Sequence, residues 1–89
     1  MKAIVTVVGK DQVGIIAGVC IKLAEYNVNV LDISQTVMQG YLTMMMAVDV
    51  TEANLPLAQL CQEMEAKGQE MGLSIRVQRE DIFEAMHRV

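Results

Sequence analysis

The 89-residue sequence lacks most of the side chains that carry catalysis or bind metals. Its one histidine, His87, lies near the end of the chain, and no carboxylate pair or nucleophile and base stand at a spacing that would bring them together. The two cysteines, Cys20 and Cys61, lie outside any Cys-x-x-Cys or Cys/His spacing, and an iron–sulfur cluster needs about four cysteine ligands. We therefore expect buried inert thiols, a solvated His87, no metal, no cofactor and no enzymatic activity.

Aromatic residues, clustered basic residues and long apolar runs are scarce as well. With two tyrosines, one phenylalanine and no tryptophan, the chain has no stacking platform of the kind that RNA-recognition sheets use. Its net charge of -4 and its scattered basic residues disfavour binding to a phosphate backbone. No apolar run reaches the roughly 18 residues of a membrane span, and the first residues do not form a signal-peptide pattern. These features predict a cytoplasmic protein that binds neither nucleic acid nor membrane.

The chain is nevertheless rich in apolar residues for its length. Hydrophobic residues make up 53% of the sequence, and the mean hydropathy is +0.33. A chain this short forms a single domain and buries a sufficient core only with difficulty. We therefore expect a homodimer or a higher homo-oligomer, in which a second copy covers part of the surface.

The first half of the sequence alternates between strand and helix patterns. Lys2 to Val8 is apolar on both faces, which is typical of a central strand. Val13 to Tyr26 carries a helical apolar stripe, and Asn27 is expected to end this helix. The stripe consists of Ile16, Val19, Cys20, Leu23 and Ala24. Val28 to Gln39 mixes β-branched and polar residues, which predicts an edge strand.

The second half begins with a hairpin and a long helix. Gly40-Tyr41 predicts a turn, and Tyr41 to Val50 predicts a strongly apolar strand that pairs with the edge strand. Asn54 is expected to cap the long helix, with Pro56 in its first turn and Gly72 at its end. The apolar side of this helix consists of Leu57, Leu60, Cys61, Met64, Gly68 and Met71.

The end of the chain completes the fold. Leu73 to Gln78 alternates apolar and polar residues, which predicts a half-exposed strand, and Glu80 to Arg88 predicts a short helix with Ile82, Phe83 and Met86 on its apolar side. The order is βαββαβ, which predicts an α+β ferredoxin-like sandwich: a four-stranded antiparallel sheet, two helices on one face and a C-terminal helix. The first and third strands are the most apolar and should be central, with the second and fourth at the edges.

A glycine-bracketed loop, GKDQVG, joins the first strand to the first helix. Such a loop leaves backbone N–H groups of the helix N-terminus unpaired, and these groups can hold a small anion or a carboxylate. Asp11 can accept a hydrogen bond from an ammonium group, or it can cap the helix. The loop therefore predicts a binding function rather than a catalytic one.

The residues from Gly9 to Val50 resemble an ACT domain, the regulatory module that binds amino acids in many metabolic enzymes. The resemblance rests on the G-x-D-x-x-G loop, the small and branched residues of the first helix, the N-V-N-V sequence before the second strand and the Gly-Tyr hairpin. It covers Lys2 to about Val77 and extends to the small stand-alone ACT proteins, including those similar to the glycine cleavage system repressor. The resemblance implies an ACT domain over residues 1–79 and a helical tail over residues 80–89.

In ACT domains two protomers commonly join their sheets side by side, and the ligand lies where the first loop of one meets the first helix and second strand of the other. The resemblance thus implies a ligand site made of Gly9, Asp11, Gln12, Val13, Gly14 and Ile15, with Asn29 facing it across the interface. Simpler structural roles are open for three of these residues: a helix cap for Asp11, a turn for Asn29 and close helix–sheet packing for Gly14. Gly18 is expected to allow a close approach of a neighbouring helix or partner.

The resemblance implies a non-catalytic regulatory domain that dimerises and binds a small ligand, an amino acid, at the dimer interface. A structural or protein-interaction module that uses the same edge for assembly, with no bound ligand, is the alternative. A small isomerase or hydrolase of ferredoxin-like fold is the third reading, which the lack of an acid–base constellation disfavours.

Overall fold

The computed structural model describes residues 1–87 and confirms the βαββαβ order, followed by a short third helix. The elements are β1 (Lys2–Lys10), α1 (Ile15–Glu25), β2 (Asn29–Met38), β3 (Tyr41–Asp49), α2 (Leu57–Met71), β4 (Ser74–Arg79) and α3 (Glu80–His87). In the described part of the chain, no helix is long and apolar enough to cross a membrane.

The four strands form one antiparallel sheet in the order β2-β3-β1-β4. The two most apolar strands, β1 and β3, are central, as their sequences predict. Val5 lies at the middle of the sheet, between Met46 on β3 and Val77 on β4. The edge strands are β2 and β4, so one long edge of the sheet consists of β2 alone.

The core lies between one face of the sheet and the two long helices. Alternate residues of β1, β3 and β4 point to this face and are buried, and α1 and α2 cover them. The largest fully buried side chains are Leu23, Met44, Met46, Leu60, Met64, Val5, Val7, Val19 and Val48. Burial of such side chains is the main source of stability in a domain of this size.

The first helix differs from the prediction in its start and in its apolar stripe. It begins at Ile15 rather than Val13, because Gly14 has a φ of +91°, outside the helical region. Its buried residues are Ile15, Val19 and Leu23, whereas Ile16 and Ala24 are exposed. The helix ends at Glu25, and Asn27 follows with a φ of +60°, so Asn27 turns the chain after the helix as predicted.

The hairpin turn lies one residue earlier than predicted. Its two residues are Gln39 and Gly40, with φ of +51° and +81°, and Met38 pairs with Tyr41 across them. Two-residue turns with positive φ match the twist of the strands that they connect, which explains why the glycine takes the second position. Tyr41 is therefore the first residue of β3 and not part of the turn.

The predicted cap of the second helix is wrong. α2 begins at Leu57, directly after Pro56, and has no side-chain cap. Asn54 instead donates a hydrogen bond from Nδ2 to the carbonyl oxygen of Glu25, 3.2 Å away, and so ties the loop before α2 to the end of α1. The predicted end at Gly72 is confirmed.

The C-terminal helix α3 spans Glu80–His87, and Ile82 on it is 45% exposed. The predicted roles of the Phe83, Met86 and His87 side chains, and the predicted helix end at Arg88, fall outside the described residues. The boundary of the domain at residue 79 stays a prediction.

Candidate ligand site

The loop between β1 and α1 is held on two sides by hydrogen bonds. The backbone N–H of Asp11 donates to the carbonyl oxygen of Gly40 at 2.8 Å, which ties the loop to the β2–β3 hairpin. The side chain of Gln12 donates from Nε2 to the carbonyl oxygen of Met71 at 2.8 Å, which ties it to the end of α2. The loop therefore has a fixed position although its side chains are exposed.

The N-terminus of α1 carries no side-chain cap. Its cap residue is Gly14, and its first turn contains no acidic residue. The first intrahelical hydrogen bond runs from the N–H of Gly18 to the carbonyl oxygen of Gly14, at 2.8 Å. Because the N–H groups at the start of a helix have no acceptor within it, the preceding turn is an electropositive end suited to an anionic group. Asp11 therefore does not cap α1, which was one of its two predicted roles.

A cleft of about 430 Å³ opens beside this helix end, between the first loop, α1 and β2. It is lined by Asp11, Gln12, Gly14, Ile15, Ile16, Ala17, Gln35 and Leu42. Its volume is in the range of small-molecule sites. Four of the seven predicted site residues thus line one cleft.

The other three predicted residues lie elsewhere. Val13 projects fully into solvent. Gly9 packs against the residue that precedes β4, since a Cβ there would lie 2.5 Å from Cδ2 of Leu73. Asn29 is at the opposite end of α1, where it lines a separate shallow pocket with Ala24, Asn27 and Val28. Within one chain, Asn29 and the first loop are not brought together.

Two residues of the cleft come from the hairpin strands and were not predicted. Gln35 lies on the helix-facing side of β2, opposite Met44, and Leu42 lies on the same side of β3. Gln35 stands between Ile33 and Val37 on that side of the strand, so it is a polar residue among apolar ones. That interruption of an apolar alternation is the signal that points to it.

Gly14 and Gly18 are glycines for different structural reasons. A Cβ at Gly14 would meet nothing within 4 Å, so close packing does not require glycine there, whereas the positive φ does. At Gly18, a Cβ would lie 2.9 Å from Cε of Met71, which confirms the predicted close approach of a neighbouring helix.

The cleft lies beside the free edge of the sheet, where apolar side chains are exposed. On β2 and the hairpin, Val37 is 54% exposed, Met38 69% and Tyr41 63%. Leu31 and Ile33 on β2 and Ile16 on α1 are exposed as well. Several exposed apolar side chains along one sheet edge are typical of an interaction site.

The described residues contain no group of three or more histidine, cysteine, aspartate or glutamate side chains placed to hold a metal ion. Both cysteines are free thiols of intermediate burial. Cys61 donates from Sγ to the carbonyl oxygen of Val77 at 3.3 Å, and burial raises the pKa of its thiol. A raised pKa lowers the thiolate fraction and hence the reactivity. The cleft itself offers a ligand the side-chain amides of Gln12 and Gln35, the Asp11 carboxylate and apolar contacts.

Comparison with known sequences agrees with this fold. A family model described as the ACT domain matches residues 2–78. A UPF0237 protein of Listeria innocua is 49% identical over the full length of both chains, and one of Clostridium acetobutylicum is 52% identical, also over both full lengths. A UPF0237 protein of Methanopyrus kandleri is 47% identical over 99% of this chain and 98% of its own.

Solved structures give the same result. An ACT domain protein from Streptococcus pneumoniae has a TM-score of 0.83 and 49% identity, with 98% of each chain covered. The regulatory subunit of aspartate kinase from Thermus thermophilus has a TM-score of 0.67 and 25% identity, over 86% of this chain and 50% of that one. A formyltetrahydrofolate deformylase from Pseudomonas syringae, 20% identical over 86% of this chain and 27% of its own, shares the fold with a TM-score of 0.78. ACT domains are regulatory, non-catalytic ligand-binding modules, and the chain belongs to the ACT domain family.

Proposed function

We propose that this chain is a non-catalytic regulator that forms a homodimer through β2 and binds a free amino acid in the cleft between the first loop, α1 and β2. One observation carries the proposal: the uncapped N-terminus of α1 opens into a cleft that also contains the Asp11 carboxylate. We expect it to act in the cytoplasm.

The two ends of the cleft suit the two charged groups of an amino acid. The amides at the start of α1, around Ile15 and Ile16, can donate to an α-carboxylate at the positive end of the helix dipole. Asp11 can accept from the α-ammonium, and a hydrogen bond between charged groups is stronger than one between neutral groups. Gln35 and Leu42 then face the ligand side chain, one through its amide and the other through apolar contact.

The free edge of β2 supports dimerisation. An exposed strand edge presents unpaired N–H and C=O groups, and here it also carries exposed apolar side chains. A two-fold axis that pairs two β2 strands antiparallel would place the start of one strand beside the end of the other. Asn29 begins β2, whereas Gln35 lies towards its end. Asn29 of one copy would then approach the cleft of the other, which accounts for its separation from the cleft in its own chain.

The alternative is an interaction module that assembles through the same edge and binds no ligand. The exposed apolar side chains on β2 favour assembly whether or not the cleft is filled. Assembly alone therefore does not distinguish the two functions, and a binding measurement must.

The test is a thermal-shift screen of the twenty amino acids, followed by calorimetry on any that raise the melting temperature. A ligand that binds only the folded state must stabilise it. We expect one or a few amino acids to stabilise the wild type and the control Glu84→Ala, which removes an exposed acid on α3, but not Asp11→Ala. A dimer that no amino acid stabilises would favour the interaction module, and equal stabilisation of Asp11→Ala would remove Asp11 from the site.

A further inference from the structure

The cleft beside α1 extends along the sheet from the first loop towards the middle of β2. Asp11 lies at one end, because its backbone N–H bonds to the carbonyl oxygen of Gly40 in the hairpin turn. Gln35 lies at the other end, level with Met44, which is four residues after Gly40. β2 is also two strands away from β1. With about 3.4 Å per residue and about 4.8 Å between strands, the Cα atoms of Asp11 and Gln35 are on the order of 15 Å apart. A ligand that contacts both side chains is therefore elongated.

The lining between these two ends is apolar. Ile16 and Ala17 on α1 form one side of it, and Leu42 on β3 forms the base. Leu42 is only 2% exposed and belongs to the hydrophobic core, so the base of the cleft is continuous with that core. Such a surface suits methylene groups and disfavours a charged or polar group in the middle of the ligand.

Gln35 gives the far end of the cleft a carboxamide that is available to a ligand. In the described part of the chain, its side chain has no hydrogen-bond partner. The Nε2 group of Gln12, the other amide of the lining, already donates to the carbonyl oxygen of Met71. A carboxamide both donates and accepts hydrogen bonds, so a ligand group that satisfies it fully must do the same.

The charges of the lining disfavour an ionised group at this end. Asp11 is the only ionisable side chain among the described residues that line the cleft, and the proposed binding mode uses it for the α-ammonium. A second carboxylate on the ligand would find no lysine or arginine in this lining, and a second ammonium would find no other carboxylate. Since a desolvated charge without a counterion is costly, the ligand side chain should end in a neutral group.

We propose that the ligand of this cleft is an α-amino acid whose side chain has a short apolar stem and ends in a carboxamide, with glutamine as the preferred member. The inference rests on the proposed function, because it takes the α-carboxylate at the start of α1 and the α-ammonium at Asp11 as given. The two methylene groups of glutamine then lie over Leu42, and its carboxamide pairs with that of Gln35 through two hydrogen bonds. Serine and asparagine also end in a neutral polar group, but their side chains are shorter and fit the distance less well.

Calorimetry on the full chain with four amino acids tests the proposal. Glutamine, glutamate and methionine have side chains of nearly equal length that end in an amide, a carboxylate and a thioether, and asparagine is one methylene shorter. We expect glutamine to bind about tenfold more tightly than each of the others, because each loses at least one hydrogen bond to Gln35. If any of the twenty amino acids binds as tightly as glutamine or more tightly, the inference is wrong and the proposed function stands. If none of them binds, both are wrong.

Substitution of Gln35 separates a role in specificity from a role in the fold. Gln35→Leu removes the carboxamide at similar size, so glutamine should bind about tenfold more weakly, whereas methionine should bind at least as well as before. Gln62→Leu makes the same change at an exposed position on α2 and should keep the wild-type preference. Circular dichroism and sedimentation check the fold and the mass of each variant. An unchanged preference for glutamine in folded Gln35→Leu would overturn the proposal, and so would a lower mass, which would place Gln35 in a dimer interface instead.

Discussion

The side-chain amide of Gln12 donates a hydrogen bond to the carbonyl oxygen of Met71, 59 residues later in the chain and 2.8 Å away. Met71 is the last residue of α2, where carbonyl groups have no intrahelical donor. The contact therefore satisfies a helix end and at the same time fixes the loop that precedes α1. The start of one helix is positioned by the end of the other.

Removing this contact should loosen the fold modestly. We expect Gln12→Ala to lower the free energy of unfolding by about 0.5 to 1.5 kcal/mol, the usual net worth of a hydrogen bond. Gln12→Glu keeps the side-chain length but, when ionised, has no donor for the carbonyl, so it should cost at least as much. Urea unfolding followed by circular dichroism measures both variants. If Gln12→Glu is as stable as the wild type, the hydrogen bond of Gln12 does not stabilise the fold and only the length of its side chain matters.

Gly68 should be the glycine whose substitution is most damaging to the core. A Cβ at this position would lie 2.8 Å from the carbonyl oxygen of Leu73 and 3.0 Å from Cγ1 of Ile75, so part of the contact is with backbone that cannot rotate away. We expect Gly68→Ala to lower stability by about 1 to 3 kcal/mol, although alanine favours the helix. Gly18→Ala is the matched control, because its Cβ would meet only flexible side chains, with the end of the Met71 side chain nearest. A smaller loss for Gly68→Ala than for Gly18→Ala would contradict this account.

The central and edge strands of the sheet could be predicted from the sequence because the more apolar strands are the more buried ones. β1 and β3 are apolar on both faces and lie in the centre, whereas β2 and β4 carry more polar residues and lie at the edges. The first loop could be predicted in part, since the segment GKDQVG precedes a helical stripe. The predicted start of the loop at Gly9 is wrong, because Gly9 and Lys10 continue β1 and pair with β3. In these places one local signal determines one structural feature.

Gln35 interrupts an apolar alternation that is visible in the sequence, but the side of the sheet on which this alternation lies could not be predicted. The register of β2 shifts between Val30 and Asp32, so that Leu31 is an extra residue in the strand. Such a bulge reverses which residues point to each face. Only with this shift does Gln35 lie on the side of Met44 and the cleft. Asn54 differs from its prediction for a related reason: a distant carbonyl, that of Glu25, competes with the local cap.

The carboxylate of Asp49 should make stability depend on acid pH. Hydrogen bonds from the side-chain hydroxyl and the backbone N–H of Thr51, at 2.6 and 2.9 Å, lower the pKa of Asp49. A carboxylate whose pKa is lower in the folded state stabilises the fold above its unfolded pKa, about 3.9, and loses this contribution as the pH falls towards the folded value. We expect Asp49→Asn to be less stable than wild type near neutral pH and the difference to shrink below about pH 4.

Unfolding by urea over a series of pH values measures that difference. Glu52→Gln, which removes one negative charge at an exposed position in the loop before α2, is the control. A difference between Asp49→Asn and wild type that grows as the pH falls would mean that Asp49 does not stabilise the fold as an anion.

Gly14 should tolerate substitution according to backbone preference rather than side-chain size. Its φ is +91° and a Cβ there would meet nothing within 4 Å, so a larger residue is strained but not in collision. Asparagine visits positive φ more readily than other residues with a side chain, whereas a β-branched residue is disfavoured there. We expect Gly14→Asn to lose less stability than Gly14→Val, whose loss should be about 1 to 2 kcal/mol. Both variants should remain folded by circular dichroism.

Because Gly14 lines the cleft, both variants should also bind the amino acid found by thermal shift more weakly in calorimetry than the wild type does. Normal binding by a folded Gly14→Val would remove Gly14 from the site and favour the interaction module.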